Sequence, residues 1–257
     1  MPSYFVGNLT AKTVFVMLNP GYEESTKNNN KSNYENVRRE FENEISELPV
    51  EDRLGKYLDH AINFGKYDRY RPDNFDTKQA AFLYAFNIKD LKLPEKMFWE
   101  LDESGKQILN KHLQMEAKES VLMHKLQLEL FPYGSRKFDT GKVKKCSEIL
   151  PEYVELLLET ITAAPRELVV FGGGIFVDLF KEYNRLKENI TFQIGKNEKF
   201  GGIMEKVKLS CCTVTINWKG TQITGLIANS FPMQSLPNAP RRMYAYGEEC
   251  RKLIQAL

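Results

Sequence analysis

Two asparagines, Asn19 and Asn229, each end an apolar run that has the character of a buried strand, and a proline follows closely after each. The first run is VFVMLNPGYEES and the second is TGLIANSFP. An amide does not take up a proton near neutral pH, so neither side chain can act as a strong base. Its carbonyl can orient a water molecule, and its N–H groups can stabilise negative charge. Both asparagines are therefore candidates for positioning reacting groups.

The first of these motifs has a second interpretation. Asn-Pro and Pro-Gly are turn-forming pairs, and Gly21 adopts a positive φ without strain, so a plain turn explains Asn19-Pro20-Gly21 and is favoured on these residues alone. A ligand site is the alternative, since open α/β sheets bind ligands beyond the carboxyl ends of their strands. The choice between a turn and a ligand site depends on the other motifs of the chain.

The elements that would position these asparagines alternate along the second half of the chain. Strand, tight turn and helix recur, and such βα repetition predicts a parallel sheet with helices on both faces. The predicted strands are Val14 to Leu18, His124 to Pro132, Leu168 to Phe171 and Gln222 to Ala228. Helices are predicted from Pro151 to Ala163, after the run Gly172-Gly173-Gly174, and after a cap at Asn238, with a hairpin turn at 217–220.

The length of 257 residues fits a single domain. The fold class expected is α/β, a three-layer α/β/α sandwich with a central, mainly parallel sheet. Residues at about 23–122 lack a Pro/Gly-rich linker at either end and have helical character in part. We expect them to form a helical arm or insertion on that one domain.

Composition argues against several classes of protein. The cysteines Cys146, Cys211, Cys212 and Cys250 show no metal-ligand spacing, and free buried thiols are the expected state. Three histidines, all in the middle of the chain, give little support to a zinc or histidine-triad hydrolase. No apolar run is long enough for a membrane span, and the amino terminus does not resemble a signal peptide. We expect a cytoplasmic protein without metal, cofactor or membrane partner.

The net charge of +2 is too small to indicate a nucleic-acid-binding protein by itself. Positive charge is concentrated in RKFDTGKVKK, which begins with Arg136 and Lys137, and in the pair Arg241 and Arg242. Such a run is more often a solvated face than a phosphate contact. The sequence gives no indication of the oligomeric state.

The ordered set of strand-end motifs resembles the uracil-DNA glycosylase superfamily. Members have a strand that closes on a motif such as GxNPG, which VMLNPG resembles, and a late strand that closes on HPSP or an asparagine-led variant, which ANSFP resembles. The mismatch-specific and single-strand-selective branches are the most similar. The resemblance covers the residues from Val14 to Tyr22 and from about Leu126 onward. It implies a sandwich of the same fold that acts on DNA.

The sequence departs from the family pattern at three positions. Met17 stands where the first motif has glycine, so the backbone there cannot approach a ligand as closely. Asn229 replaces the histidine that steadies the departing base in most members, and Glu129 falls near a position where several branches have a base-reading asparagine. We therefore expect slow chemistry and an altered choice of base.

The resemblance implies hydrolysis of an N-glycosidic bond, with Asn19 positioning water and Asn229 holding the leaving base. Reaching a base in duplex DNA requires extruding it, filling the gap and binding phosphates. For the residues expected to contact DNA the alternative is a structural role, in which Met233 and Leu236 cap the core and Arg241 and Arg242 are solvated. Candidates for substrate binding are Pro20, Gly21, Tyr22, Phe131, Tyr133, Ser230 and Gln234, and candidates for DNA contact are Met233, Leu236, Arg241, Arg242, Arg136 and Lys137.

Three hypotheses follow for the function. The first is a DNA glycosylase-like enzyme that acts on a damaged or deaminated base. The second is a catalytically silent module of the same fold that binds a nucleobase or nucleic acid, as the substituted motif positions suggest. A third, less favoured, is a nucleotide-binding regulator whose arm recruits a partner.

Overall fold

A computed structural model describes residues 5–18, 47–49, 74–86, 124–130, 150–186, 190–200, 209–229 and 239–256. These residues form eight strands and four helices. The strands are β1 Phe5–Gly7, β2 Thr13–Met17, β3 Lys125–Glu129, β4 Leu168–Gly172, β5 Ile190–Ile194, β6 Glu198–Phe200, β7 Leu209–Trp218 and β8 Thr221–Ala228. The helices are α1 Asn74–Tyr84, α2 Leu150–Thr162, α3 Ile175–Leu186 and α4 Ala239–Gln255.

All eight strands belong to one mixed sheet with the order β1-β3-β2-β4-β8-β7-β5, and β6 pairs with β7. The four strands β3, β2, β4 and β8 run parallel to one another, whereas β1, β5, β6 and β7 pair antiparallel. The α/β class predicted from the sequence is therefore observed. The expectation of a mainly parallel sheet is correct only for its centre, because a hairpin folds β7 back on β8.

This hairpin has a two-residue loop, Lys219-Gly220, in which both residues have positive φ values of 45° and 79°. Such a loop matches the right-handed twist of antiparallel strands, and a glycine at its second position carries no steric cost. The sequence places the hairpin turn at 217–220, and the structure extends β7 through Trp218. A loop this short forces antiparallel pairing, since parallel neighbours need a long crossover.

Alternating strand residues divide the core between the two faces of the sheet. Val14, Val16 and Leu126 pack with side chains of α2 and α3 on one face, which we call the α2/α3 face. Phe15, Met17 and other strand residues pack with side chains of α1 and α4 on the opposite, α1/α4 face. Both faces of the parallel strands are thus covered by helices, as buried parallel strands require.

Helix α1 lies inside the range predicted as a helical arm or insertion, of which the structure describes only 47–49 and 74–86. Its second half is buried, with Phe82 and Tyr84 fully enclosed. At its crossing with α4, a Cβ built on Gly247 would lie 2.6 Å from the carbonyl oxygen of Phe82. The close approach of these two helices therefore depends on the missing side chain of Gly247.

Helix α2 ends without a basic residue in its last turn, and Arg166 supplies the missing cap from the following loop. Its guanidinium donates to the carbonyl oxygens of Ile161 (2.9 Å) and Thr160 (3.1 Å), and to those of Leu9 (2.9 Å) and Ala11 in the loop between β1 and β2. Partial burial lowers the pKa of Arg166. One side chain thus joins a helix end to the sheet.

We expect Arg166→Met to lower the free energy of unfolding by about 2 kcal/mol, because hydrogen bonds to a charged donor are lost and several carbonyls are left without it. Urea unfolding measures this. The matched control is Lys12→Met, which removes an exposed ion pair with Glu167 (2.7 Å) beside the same loop and should change stability by less than about 0.5 kcal/mol. Equal losses in the two variants would contradict the capping role.

Candidate functional site

The carboxyl ends of the four parallel strands form one edge of the sheet. At this edge Leu130 N donates to Met17 O (2.8 Å), which joins the ends of β3 and β2, and Gly173 N donates to Ala228 O (3.0 Å), which joins the ends of β4 and β8. Asn19 follows β2 by two residues and Asn229 follows β8 directly. In open α/β sheets ligands bind beyond this edge.

The strands that precede the two asparagines, β2 and β8, are not neighbours in the sheet, because β4 lies between them. Adjacent strands are about 4.8 Å apart, so the ends of β2 and β8 are separated by roughly 10 Å. The strand next to β2 on its other side is β3, whose Glu129 has its Cα paired with that of Met17. Glu129 is thus nearer in the sheet to the start of the Asn19 motif than Asn229 is.

Most of the predicted site residues lie outside the described residues. Arg241 and Arg242 fall in the first turn of α4, where the side chain of Arg242 is partly buried. Asn229 is described in full. The residues outside are Asn19, Pro20, Gly21, Tyr22, Phe131, Tyr133, Arg136, Lys137, Ser230, Met233, Gln234 and Leu236, together with Asn238 and Cys146.

The side chain of Asn229 is fixed by two hydrogen bonds. Its Nδ2 donates to Asn197 Oδ1 (2.7 Å) and to Ser210 Oγ (3.3 Å), while its Oδ1 is buried and has no partner within the described ranges. A Cβ built on Gly174 would lie 3.5 Å from this Oδ1. In this orientation both donors of the amide are used, so the group that Asn229 offers at the strand end is an acceptor. Donation to a departing base, expected from the sequence, is not the role that this geometry favours.

Glu129 ends a series of hydrogen-bonded side chains that we call the polar chain, namely Lys125, Gln79, Gln127 and Glu129. Lys125 Nζ donates to Gln79 Oε1, Gln79 Nε2 donates to Gln127 Oε1 (3.0 Å), and Gln127 Nε2 donates to Glu129 Oε1 (2.7 Å). Lys125, Gln79 and Glu129 are buried, and Oε2 of Glu129 has no hydrogen-bond partner among the residues that the structure describes. A buried polar atom in this state is rare and calls for an explanation.

Burial raises the pKa of Glu129 from 4.5 to about 8, against smaller opposing effects of the Gln127 hydrogen bond and the charge of Lys125. The carboxyl group is therefore mostly neutral at pH 7 and changes its charge close to neutrality. Perturbed acids of this kind at a strand end are candidates for binding or catalysis. A neutral carboxyl group also offers one O–H donor, which a carboxylate does not.

The sequence did not single out the other three members of the polar chain. In KLQLEL the polar residues alternate with leucines, as in a strand with one solvated face. Here the polar side is instead buried under α1, whose Gln79 comes from 46 residues earlier in the chain. Local periodicity carries no signal for such burial, because the covering helix is distant in sequence.

Glu129 and Asn229 lie on opposite faces of the sheet at this edge. Glu129 follows the alternation of Lys125 and Gln127 and shares the α1/α4 face with Met17. Asn229 follows the alternation of Ile227 on the α2/α3 face, and its amide is beside Gly174 at the start of α3. Two separate polar groups therefore flank the strand ends.

Cys211, Cys212 and Cys250 are free and buried, as predicted. Burial raises the pKa of Cys212 to about 11, so this thiol is a poor nucleophile at neutral pH. The described ranges contain no group of three or more His, Cys, Asp or Glu side chains arranged to hold a metal ion. Among the helices in the described part of the chain, none has the length and apolar character needed to cross a bilayer.

Comparisons with models of protein families, with curated proteins and with solved structures find no match to this chain.

Proposed function

We propose that the chain is a DNA glycosylase-like hydrolase that cleaves the N-glycosidic bond of a damaged or deaminated base at the carboxyl edge of its parallel strands. The observation that carries the proposal is Glu129, a buried and mostly neutral carboxyl group with an unpartnered oxygen at the end of β3. It lies beside the end of β2, the strand that precedes the motif Asn19-Pro20-Gly21 in the sequence. The three-layer sandwich implied by the family resemblance belongs to the same proposal.

In this mechanism Asn19 orients the attacking water through its carbonyl, and the sugar passes through an oxocarbenium-like state as the base leaves. Its contribution is orientation and electrostatics, since an amide cannot accept the proton, and the proton lost from water is taken up by the base that leaves as an anion. Tyr22, Phe131 and Tyr133 stack on the extruded base, and Ser230 and Gln234 contact it. Met233 and Leu236 fill the gap in the duplex.

Binding to DNA in this proposal rests on basic side chains that contact phosphates. These are Arg241 and Arg242 in the first turn of α4, with Arg136 and Lys137 from the preceding basic run. The amino terminus of α4 adds its dipole. Arg241→Glu is expected to weaken binding to any DNA sequence and to reduce its dependence on salt.

The enzyme is tested with oligonucleotides that carry uracil, hypoxanthine or xanthine, followed by alkaline cleavage of abasic sites. Asn19→Ala should slow product formation by roughly 100-fold, because a misplaced nucleophile loses much of the advantage of orientation. The matched control is Asn217→Ala, which changes an exposed asparagine at the carboxyl-terminal end of β7 that donates to Thr191 Oγ1 (3.1 Å). Absence of product from every lesion would exclude the hydrolase.

A second candidate is a nucleobase-binding module without turnover, and the geometry of Asn229 favours it. Both amide donors are engaged by Asn197 and Ser210, so this side chain lacks a free donor for the negative charge of a leaving base. Retained DNA binding without abasic product supports the module. If DNA and free bases both fail to bind and Arg241→Glu changes nothing, neither candidate stands.

A further inference from the structure

The first members of the polar chain bring an amine and a carboxamide into contact inside the core. Lys125 Nζ donates to Gln79 Oε1, and both residues have an exposed fraction of 0%. They are 46 positions apart and belong to different elements, β3 and α1. A nitrogen that hydrogen-bonds a carbonyl oxygen lies about 3–3.5 Å from the carbonyl carbon, which is the separation of two groups poised to react. The contact therefore places a nucleophile beside an electrophile.

The rest of the polar chain fixes the orientation of the Gln79 amide. Its Nε2 donates to Gln127 Oε1 (3.0 Å), and Gln127 Nε2 donates to Glu129 Oε1 (2.7 Å). Hydrogen bonds in such a series polarise one another and hold each member in one direction. Because the nitrogen of the Gln79 amide is engaged by Gln127, its carbonyl group faces Lys125.

The surroundings of this pair are apolar and closed to solvent. Phe15 and Met17 of β2 lie on the same face of the sheet as Lys125, and Phe82 follows Gln79 on α1. All three of these apolar side chains are buried. Exclusion of water suppresses hydrolysis as a competing reaction. The amine of Lys125 is thus the nucleophile that the Gln79 carbonyl meets.

The charges of the site favour loss of the ammonium group. Burial raises the pKa of Glu129 to about 8, so at pH 7 this carboxyl group contributes little negative charge near Lys125. Burial of an ammonium ion is costly, because the core replaces water poorly as its solvent. A reaction that converts the Lys125 amine into an amide removes this charge from the core.

We propose that Lys125 and Gln79 form a site of covalent self-modification, at which the lysine amine displaces ammonia from the glutamine amide and an intramolecular isopeptide bond results. The bond that forms joins Lys125 Nζ to Gln79 Cδ. The bond that breaks is Gln79 Cδ–Nε2, and its electron pair stays on the nitrogen. The two protons given up by the Lys125 ammonium group pass to this nitrogen, which leaves as ammonium.

This reaction needs no oxidant, because neither the carbon nor the nitrogens change oxidation state. An unactivated amide reacts slowly with an amine in solution, but two groups held in contact have an effective concentration of about 10⁵ M or more. We expect slow formation that requires the folded chain. The product ties α1 to β3 and closes the loop between them, which restricts the unfolded chain as a disulfide does. The inference goes beyond the proposed function and does not depend on it.

The test is the mass of the intact, full-length chain, measured under denaturing conditions before any proteolysis. Loss of ammonia lowers this mass by about 17 Da from the value that the sequence gives. Tryptic digestion should then yield peptide 119–136, uncleaved at Lys125, joined to peptide 79–89. The joined pair distinguishes the isopeptide bond from other losses of ammonia, such as cyclisation of a glutamine at the start of a peptide.

Lys125→Met and Gln79→Met each remove one reactant, so both variants should keep the full mass of their sequences. The matched control is Lys78→Met, which removes the neighbouring buried amine of α1 and should still lose ammonia. A wild-type chain that keeps its sequence mass, both when fresh and after a week in neutral buffer, overturns the inference whether or not the variants fold. A peptide pair joined through Lys78 in place of Lys125 also overturns it.

Discussion

Glu129→Gln should stabilise the protein at pH 9 by up to roughly 5 kcal/mol while leaving its stability at pH 4 nearly unchanged. Burial raises the pKa of this carboxyl group from 4.5 to about 8 in the folded state. Between pH 4.5 and pH 8 the carboxyl group of Glu129 binds a proton in the folded state that it does not bind in the unfolded state. The contribution of Glu129 to the free energy of unfolding therefore falls as pH rises through this range. Above pH 8 that contribution is lost.

Urea unfolding at intervals from pH 4 to pH 9 measures this effect, with the difference between wild type and Glu129→Gln plotted against pH. The matched control is Glu159→Gln, which changes an exposed carboxylate of α2 that pairs with Lys219 at 2.9 Å. That variant should follow the wild-type curve within about 0.5 kcal/mol. A constant difference between wild type and Glu129→Gln across the range would show that Glu129 does not titrate as described.

Phe82→Ala should lower the free energy of unfolding by about 3–5 kcal/mol. The ring is fully buried and contacts Phe15, Phe86 and Tyr246, with centroid distances of 6.2, 5.2 and 5.8 Å. Truncation removes these contacts and leaves a cavity between α1, α4 and the sheet. Thermal or urea unfolding, with heat capacity to verify cooperativity, measures the loss.

Leu156→Ala is the control for Phe82→Ala, because Leu156 is a large apolar residue on α2 that is 48% exposed. Its truncation should cost well under 1 kcal/mol. If Phe82→Ala costs as little as the control, α1 is not part of the core. A large loss in Phe82→Ala alone means instead that this part of the predicted arm belongs to the folding unit.

The elements predicted from the sequence are those with strong local signals. The strand predicted from Val14 to Leu18 is observed as Thr13–Met17, and the helix predicted after Pro151 is observed as Leu150–Thr162. Continuous apolar runs, a proline in a first turn and a glycine run between strand and helix all act over a few residues. Shifts of one residue at the ends are expected where only backbone geometry decides the boundary.

Other elements depend on partners that are distant in sequence. Sequence reasoning identified neither β1 nor β6, each of three residues, because a strand this short forms only where a neighbour offers hydrogen bonds. Helix α1 lies in the range predicted as a helical arm but was not predicted as an element of its own, since NFDTKQAAFLY mixes polar and apolar residues without a clear stripe. Its burial comes from contact with α4, which begins more than 150 residues later.

The features of the candidate site also fall into those that local sequence predicts and those that depend on distant residues. The sequence identified Asn229 at the end of its strand, whereas Glu129 was noted only through the family resemblance and lay inside the strand predicted from His124 to Pro132. The sequence did not reveal that Asn229 and Glu129 lie on opposite faces of the sheet. It also did not reveal that Asn229 Nδ2 donates both of its hydrogen bonds to Asn197 and Ser210. Those properties depend on the strand order and on the loop that carries Asn197, neither of which a local pattern encodes.

The polar chain has a consequence for how α1 is seated on the sheet. Apolar contacts such as those of Phe82 tolerate several positions, whereas Gln79 must meet both Lys125 and Gln127 at once. Sliding α1 by one helical turn, about 5.4 Å, would leave these groups buried without partners. The hydrogen bonds of the polar chain thus fix the position of α1 along the sheet. The series of bonds ends at the carboxyl group of Glu129.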